Sequence, residues 1–291
     1  MSSAKSQKYS VIEYLARVIW LGRYSERNLM GLLSAAYFDA SGKRQGYRFL
    51  TVAGAVAPIK KWIRFEKQWN IVLSDEGVSE FHSTDFAASK REYKEWKGDK
   101  LRRSAFLKRL VKIIQENTNK LFLATIEMPT WDEVNKTYLL EETFHSPYAL
   151  AGFSVTCRAL NWAVRKKVRS PFKVIFEDGD EGWGGLKQLC NRYNNFEPIR
   201  LPKKEGVPFQ IGDLLAWKTR IVATNCLEKT KDSADADVEA ILFNELHSLD
   251  DLLVRPTQNG IYTEVTLAKT CRNFKVPKRN GITTLSRQEA P

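Results

Sequence analysis

The sequence predicts an α/β fold in a single domain, and three observations carry that prediction. Short apolar runs of strand length alternate with longer segments of helical period. No repeat and no domain-splitting linker interrupts them. At 291 residues and 43% apolar content the chain can bury a full core, and its 27% charge is that of a globular rather than a disordered protein.

Taken in order, residues 1–29 read as a loosely attached N-terminal extension carrying an amphipathic helix, apolar at positions 11, 12, 15, 18 and 19. Met30 offers a second start, immediately before the first strong strand, LLSAAYFD. The turn ASGKRQG then leads to RFLTVAGAVA, a second strand hairpinned to the first. KKWIRFEKQWNIVLSDEG is a helix stopped by Gly77, EFHSTDF a short loop, and REYKEWKGDKLRRSAFLKRLVKIIQENTN one long basic helix. LFLATIEM is the third strand, followed by a helix from about Thr130 and an apolar helix over 148–168. FKVIFED is the fourth strand, GGLKQLCNRYN a helix, EPIRLPKK an edge strand and PFQIGDLLAWKTRIVATNCLE a last strong helix. The main domain therefore spans 30–230, with 231–291 a less regular appendage containing the polar DSADADVE and the basic PKRN.

Lys and Arg number 46 against 34 Asp and Glu, a net charge of +12 that favours polyanionic partners, nucleic acid foremost. Cys157, Cys190, Cys226 and Cys271 are far apart, without metal-ligand spacing, and read as thiols in a reducing cytoplasm. Glu13 and Arg17 break the apolar N-terminal stretch, which is no signal peptide, and Arg158 and Asn161 mark the most apolar helix as core rather than membrane span.

Acids end several buried elements. Asp39 ends the first strand, Glu177 ends the fourth, and Asp213 sits in the first turn of the apolar helix FQIGDLLAW. A carboxylate beside buried surface costs several kcal/mol unless paired or metal-bound. Magnesium and manganese take oxygen ligands, and two-metal phosphoryl chemistry needs several carboxylates around ions about 4 Å apart. Each acid also has an ordinary explanation. Asp39 before Ser41-Gly42 is turn chemistry, Asp213 suits a helix N-terminus, and Glu177, Asp178, Asp180 and Glu181 suit a solvated turn.

YFDASG, the VAGAVA strand with its KKW…W helix, EFHSTDF, FEDGD and FQIGDLLAW resemble the motif series of the prokaryotic domain-of-unknown-function family DUF 3800, over roughly residues 33–227. The resemblance implies a ribonuclease H-like mixed sheet flanked by helices, with long helical insertions. Its site would place acids on the first strand, the fourth strand and a late helix, slots that Asp39, Glu177 and Asp213 occupy in that order. Two departures stand out. Ala40 replaces the usual acid after the first Asp, removing one candidate ligand, and Gly212 replaces an Ala before the last Asp, an exchange expected to be silent.

The implied activity is that of a metal-dependent nuclease using two Mg²⁺ or Mn²⁺ ions to hydrolyse phosphodiesters. Asp39 would bridge both ions, Glu177 and Asp213 would flank them, and Asp180 or Asp178 would add a further ligand. His82 and Asp85 form a second candidate pair, with the histidine moving protons or simply capping its loop. The stretch 90–112 holds ten Lys and Arg against three acids, and Lys94, Lys97, Arg102, Arg103 and Trp96 are its candidate nucleic-acid contacts. Cations there would neutralise phosphates, and Trp96 and Tyr93 would stack on unpaired bases, without sequence preference. Alternatives are a non-catalytic nucleic-acid-binding or assembly protein on the same fold, and a small-molecule phosphohydrolase.

Overall fold

In the computed structural model, which describes residues 10–20, 33–42, 47–168, 172–230, 257–258, 261–262 and 264–279, the apolar runs form one mixed sheet. Strand β1 (Ser34–Ser41) pairs antiparallel with β2 (Phe49–Pro58), from Ser34 opposite Pro58 to Ser41 opposite Thr51, so the expected hairpin is present. β2 pairs antiparallel with β3 (Lys120–Glu127). On the other side of β1 lies β4 (Phe172–Glu177), parallel to it, and then β5 (Ile199–Leu201), the predicted edge strand. Two short strands, β6 (Thr257–Gln258) and β7 (Ile261–Tyr262), run parallel to β3. The connections β2–β3 and β3–β4 carry the long helical insertions.

Period-two alternation assigns each strand residue to one of two apolar layers. Ala35, Tyr37, Ala53, Ala55, Leu123 and Ile175 face one layer. It is covered by α1 (Val11–Trp20), α2 (Ile59–Asp75), α3 (Ser83–Ala88), α4 (Lys100–Asn117) and α9 (Phe209–Thr230). Ala36, Phe38, Val52, Phe122, Val174 and Phe176 face the other. There α5 (Met128–Thr137), α6 (Leu140–Phe144), α7 (Pro147–Arg165), α8 (Trp183–Asn194) and α10 (Glu264–Asn273) pack. No helix among the described residues is long and apolar enough to cross a membrane.

Two parts of the chain are tied in more firmly than the sequence suggests. Over Val11–Trp20 the N-terminal extension is a docked helix, with Ile12 and Ala16 buried in the first layer. Its first amides are received by a buried carboxylate, Glu66 of α2, at 3.0 Å from Val11 N and 3.2 Å from Ile12 N. A helix N-terminus presents unsatisfied N–H groups and positive potential, so an acid is the natural partner. Glu66→Ala is expected to destabilise the protein by about 1–3 kcal/mol, because buried donors lose a charged acceptor. Hydrogen exchange should then show α1 losing protection before the sheet. In the C-terminal region, Leu267 and Cys271 of α10 are fully buried in the second layer. Met30 and DSADADVE lie outside the described residues.

The single long basic helix is not observed. Residues Arg91–Trp96 form a 3₁₀ turn, and α4 begins only at Lys100. Gly98 between them has φ of +83°, a conformation that ends helical continuity, and the Asp99 side chain accepts from Arg102 N at 2.9 Å to start a new helix.

Candidate active site

β1 and β4 run parallel and stay in register to the pair Phe38–Phe176. Asp39 and Glu177 are the next residues, on strands about 4.8 Å apart; Glu177 ends β4 as expected, whereas β1 runs two residues past Asp39 to Ser41 because β2 continues to pair with it. Both share the parity of Tyr37 and Ile175, which directs them to the layer containing α9. That helix crosses β1 and β2, and Gly212 is the point of approach. A Cβ there would lie 2.7 Å from Asp39 Cβ, 2.7 Å from Ala53 O and 2.8 Å from Asp39 N. The following residue is Asp213. Asp39 and Asp213 are 6% and 7% exposed, and with Glu177 they line one cleft of about 750 Å³.

Both departures from the motif series now have a physical meaning. Ala40 has the opposite parity to Asp39, and its side chain joins the second apolar layer. Ala40 nevertheless borders the same cleft, beside Ser41 and Gly42. Gly212, in contrast, is not interchangeable with Ala, because backbone atoms occupy the space a methyl would need.

The segment EFHSTDF, expected as a loop throughout, is a loop only up to His82 and enters α3 at Ser83; it reaches the same cleft because α9 holds it there. Gln210 Oε1 accepts from Trp69 Nε1 at 2.8 Å and from Phe81 N at 2.9 Å. Asp213 Oδ2 accepts from Ser83 N at 2.7 Å. Between these anchors His82 is carried into the cleft, its Nδ1 2.8 Å from Thr84 Oγ1 and 3.7 Å from Asp85 Oδ2. Asp85 also pairs with Arg91 Nε at 3.3 Å. The two candidate groups, the three acids and the His82–Asp85 pair, thus line one cleft. Gln210 escaped the sequence reading, although a polar residue one turn before Asp213 on an apolar helix must find buried partners.

The other residue missed is Lys203, in the 3₁₀ turn Lys203–Glu205 after β5. It lines the cleft, and its Nζ is 3.4 Å from Glu80 Oε1. Burial pulls its pKa down, yet the negative field of Glu177, Glu80, Asp213 and Asp39 outweighs that and holds the ammonium above its ordinary range. The same concentration of charge is felt at Tyr148, whose phenol is pushed up by burial and then by Asp39 and Glu177. Glu177 Oε2 is buried with no hydrogen-bond partner among the described residues.

The remaining acids of the FEDGD turn do not converge on this point. Asp178 pairs with Arg200 at 3.2 Å and accepts from Gly179 N at 2.9 Å, and Asp180 does not line the cleft. Among the described residues, no three His, Cys, Asp or Glu side chains stand close enough together to hold one metal ion.

The expected base-stacking surface is overturned. Tyr93 and Trp96 are 1% and 2% exposed, packed edge-to-face on each other and against Phe86 and Phe106. Aromatics at this spacing are core, not platform. Arg102 lies 4.3 Å over the Trp96 ring and pairs with Glu76 at 3.1 Å. Arg103 covers the Phe86 ring at 4.1 Å and donates to Phe86 O and Ser89 Oγ. Lys94 and Lys97 remain exposed, beside Lys90 and Arg91, which line the cleft together with Arg220. Trp96→Ala is expected to cost about 3–5 kcal/mol of stability, as for other buried aromatics. Replacing the exposed Lys94 and Lys97 by Ala should leave thermal melting unchanged.

No family model and no curated protein matches the chain. A search of solved structures finds similarity to the crystal structure of Bst-RNase HIII in complex with Mn²⁺. The two share 13% identity with a TM-score of 0.41, over 83% of this chain and 75% of that one.

Proposed function

We propose that the cleft hydrolyses nucleic-acid phosphodiesters with a divalent cation, Mg²⁺ or Mn²⁺, for which Asp39, Glu177 and Asp213 supply carboxylate oxygens. The observation that carries this reading is the buried Glu177 oxygen without a hydrogen-bond partner among the described residues, in a cleft that the buried residues Asp39 and Asp213 also line. A buried anionic oxygen left in that state is costly, and a hard cation with oxygen ligands relieves the cost. The donor chemistry fits Mg²⁺ or Mn²⁺, although the side chains do not stand as a ready three-ligand cluster. When bound, the ion supplies Lewis-acid polarisation and lowers the pKa of a coordinated water.

The chain's own groups account for the rest. Lys90, Arg91 and Arg220 at the rim attract the phosphate backbone toward an acidic floor. His82, with Nδ1 engaged by Thr84, exchanges a proton through Nε2 with the attacking water or the departing oxygen. Asp85 and Thr84 orient that ring, and Gln210 and Asp213 fix the loop that bears it. Recognition is of backbone charge, without sequence preference.

A second reading, binding without hydrolysis, is favoured by the lack of a three-ligand cluster among the described residues. The discriminating experiment incubates purified protein with single- and double-stranded DNA and RNA, with Mg²⁺, Mn²⁺ or chelator. Cleavage that requires the metal supports the nuclease. Salt-sensitive binding with no cleavage of any substrate supports the alternative.

A further inference from the structure

We infer that Tyr47, backed by Arg220, is a stacking platform for one unpaired nucleobase at the rim of the cleft, so that the strand presented to the acids is single-stranded at this point. The inference rests on the nucleic-acid reading above and names the form of nucleic acid that the cleft takes.

The aromatics of the basic stretch are buried, but the cleft has a ring of its own. Tyr47 is the one Phe, Tyr or Trp among the described residues that line it, and it is 38% exposed. The Arg220 guanidinium carbon lies 4.3 Å from the ring centroid, a cation–π contact that holds the ring's plane from one side. Ala40, Ser41 and Gly42, at the same end of the β1–β2 hairpin, line the cleft with small side chains.

Both partners are fixed to the frame that carries the acids. Tyr47 stands where the hairpin re-enters the sheet, next to Arg48. The Arg48 carbonyl accepts from Met128 N at 2.8 Å, and its guanidinium pairs with Glu127 Oε1 at 2.6 Å, which ties this end of the connection to β3. Arg220 follows Asp213 by seven residues on α9, two helical turns, so the two share a face about 10 Å apart along the axis. A base on Tyr47 therefore belongs to a nucleotide flanking the phosphate that faces Asp39 and Asp213.

The ring also decides what it can take. Every base has a π-face, so stacking is sequence-tolerant, in keeping with recognition of backbone charge. Inside a duplex both faces of a base are covered by its neighbours in the stack, and only an unpaired base can lie on Tyr47. Lys90, Arg91 and Arg220 at the same rim meet its phosphates.

The test is anisotropy of a labelled oligothymidylate, with chelator present so that no cleavage intervenes. It is compared with an abasic strand of equal length, which keeps the phosphates and lacks the bases. Wild-type protein should favour the base-bearing strand by roughly 5- to 100-fold. Tyr47→Ala should remove most of that preference without changing affinity for the abasic strand, and Tyr47→Phe should retain it. A blunt duplex should bind Tyr47→Ala and wild type alike. The inference is overturned if the wild type shows no preference, if the preference survives Tyr47→Ala, or if both strands lose affinity equally. Thymidine monophosphate binding as tightly as the oligothymidylate overturns it too. If neither strand binds the wild type, the nucleic-acid reading falls and this inference with it. Base-dependent binding without metal-dependent cleavage removes the hydrolysis and leaves the platform standing. Should Tyr47→Ala not fold, Tyr47→Leu decides by the same criteria.

Discussion

Asp39→Asn is expected to lower metal-dependent cleavage by on the order of 10³-fold, since metal-ion stabilisation is worth several kcal/mol and each 1.36 kcal/mol is tenfold. Thermal melting measured beside cleavage checks that the variant is folded, since Asp39 Oδ1 also accepts from Ala40 N at 2.6 Å. Asp213→Asn separates two duties of one side chain. Its amide oxygen can still accept from Ser83 N, so the loop bearing His82 stays in place while the charge is lost. Asp213→Ala removes both, and should add a loss of hydrogen-exchange protection at Phe81–Asp85 to the same fall in rate. Single-turnover cleavage measured beside thermal melting separates the two effects. A variant at Asp39 that cuts as fast as wild type would remove this residue from the site.

The substitution expected to lower stability and activity together is at Gly212. A methyl there meets Ala53 O and Asp39 N, backbone atoms of two central strands that have no rotamer by which to yield. Gly212→Ala should therefore push α9 off the sheet, at a cost of about 1–3 kcal/mol by analogy with overpacked cores. Melting should fall by roughly 2–4 °C per kcal/mol for a domain of this size. Because Asp213 follows Gly212 and Asp39 lies beneath it, cleavage should fall together with stability. Gly212→Ala that melts like wild type would show that the helix is not held at this distance. Gly184, where an added Cβ meets nothing within 4 Å, is the control position.

How much of this could be read from the chain alone depends on the range of the interaction. The short apolar runs in SAAYFDAS and FKVIFE are local, so the strands and the place of Glu177 at the end of β4 were legible, whereas the extension of β1 past Asp39 to Ser41 depends on pairing with β2. The apolar helix around Asp213 was legible for the same reason. Whether an aromatic among lysines is a platform or a core residue is decided by partners outside its own segment. Trp96 packs on Phe86 and Phe106, and no local pattern distinguishes that from exposure. Gln210 and Lys203 were hidden likewise, because their partners, Trp69, Phe81 and Glu80, lie more than a hundred residues away. Gly98 did carry a local signal against one long basic helix, and the run of lysines and arginines around it masked that signal.

The most direct test of a cation site between these carboxylates is a crystal soaked in Mn²⁺ and measured at a wavelength where manganese scatters anomalously. The predicted result is an anomalous peak in coordination contact with Asp39 and Glu177, abolished in Asp39→Asn. A cleft empty of anomalous density while Mn²⁺ is bound elsewhere on the molecule would contradict the site.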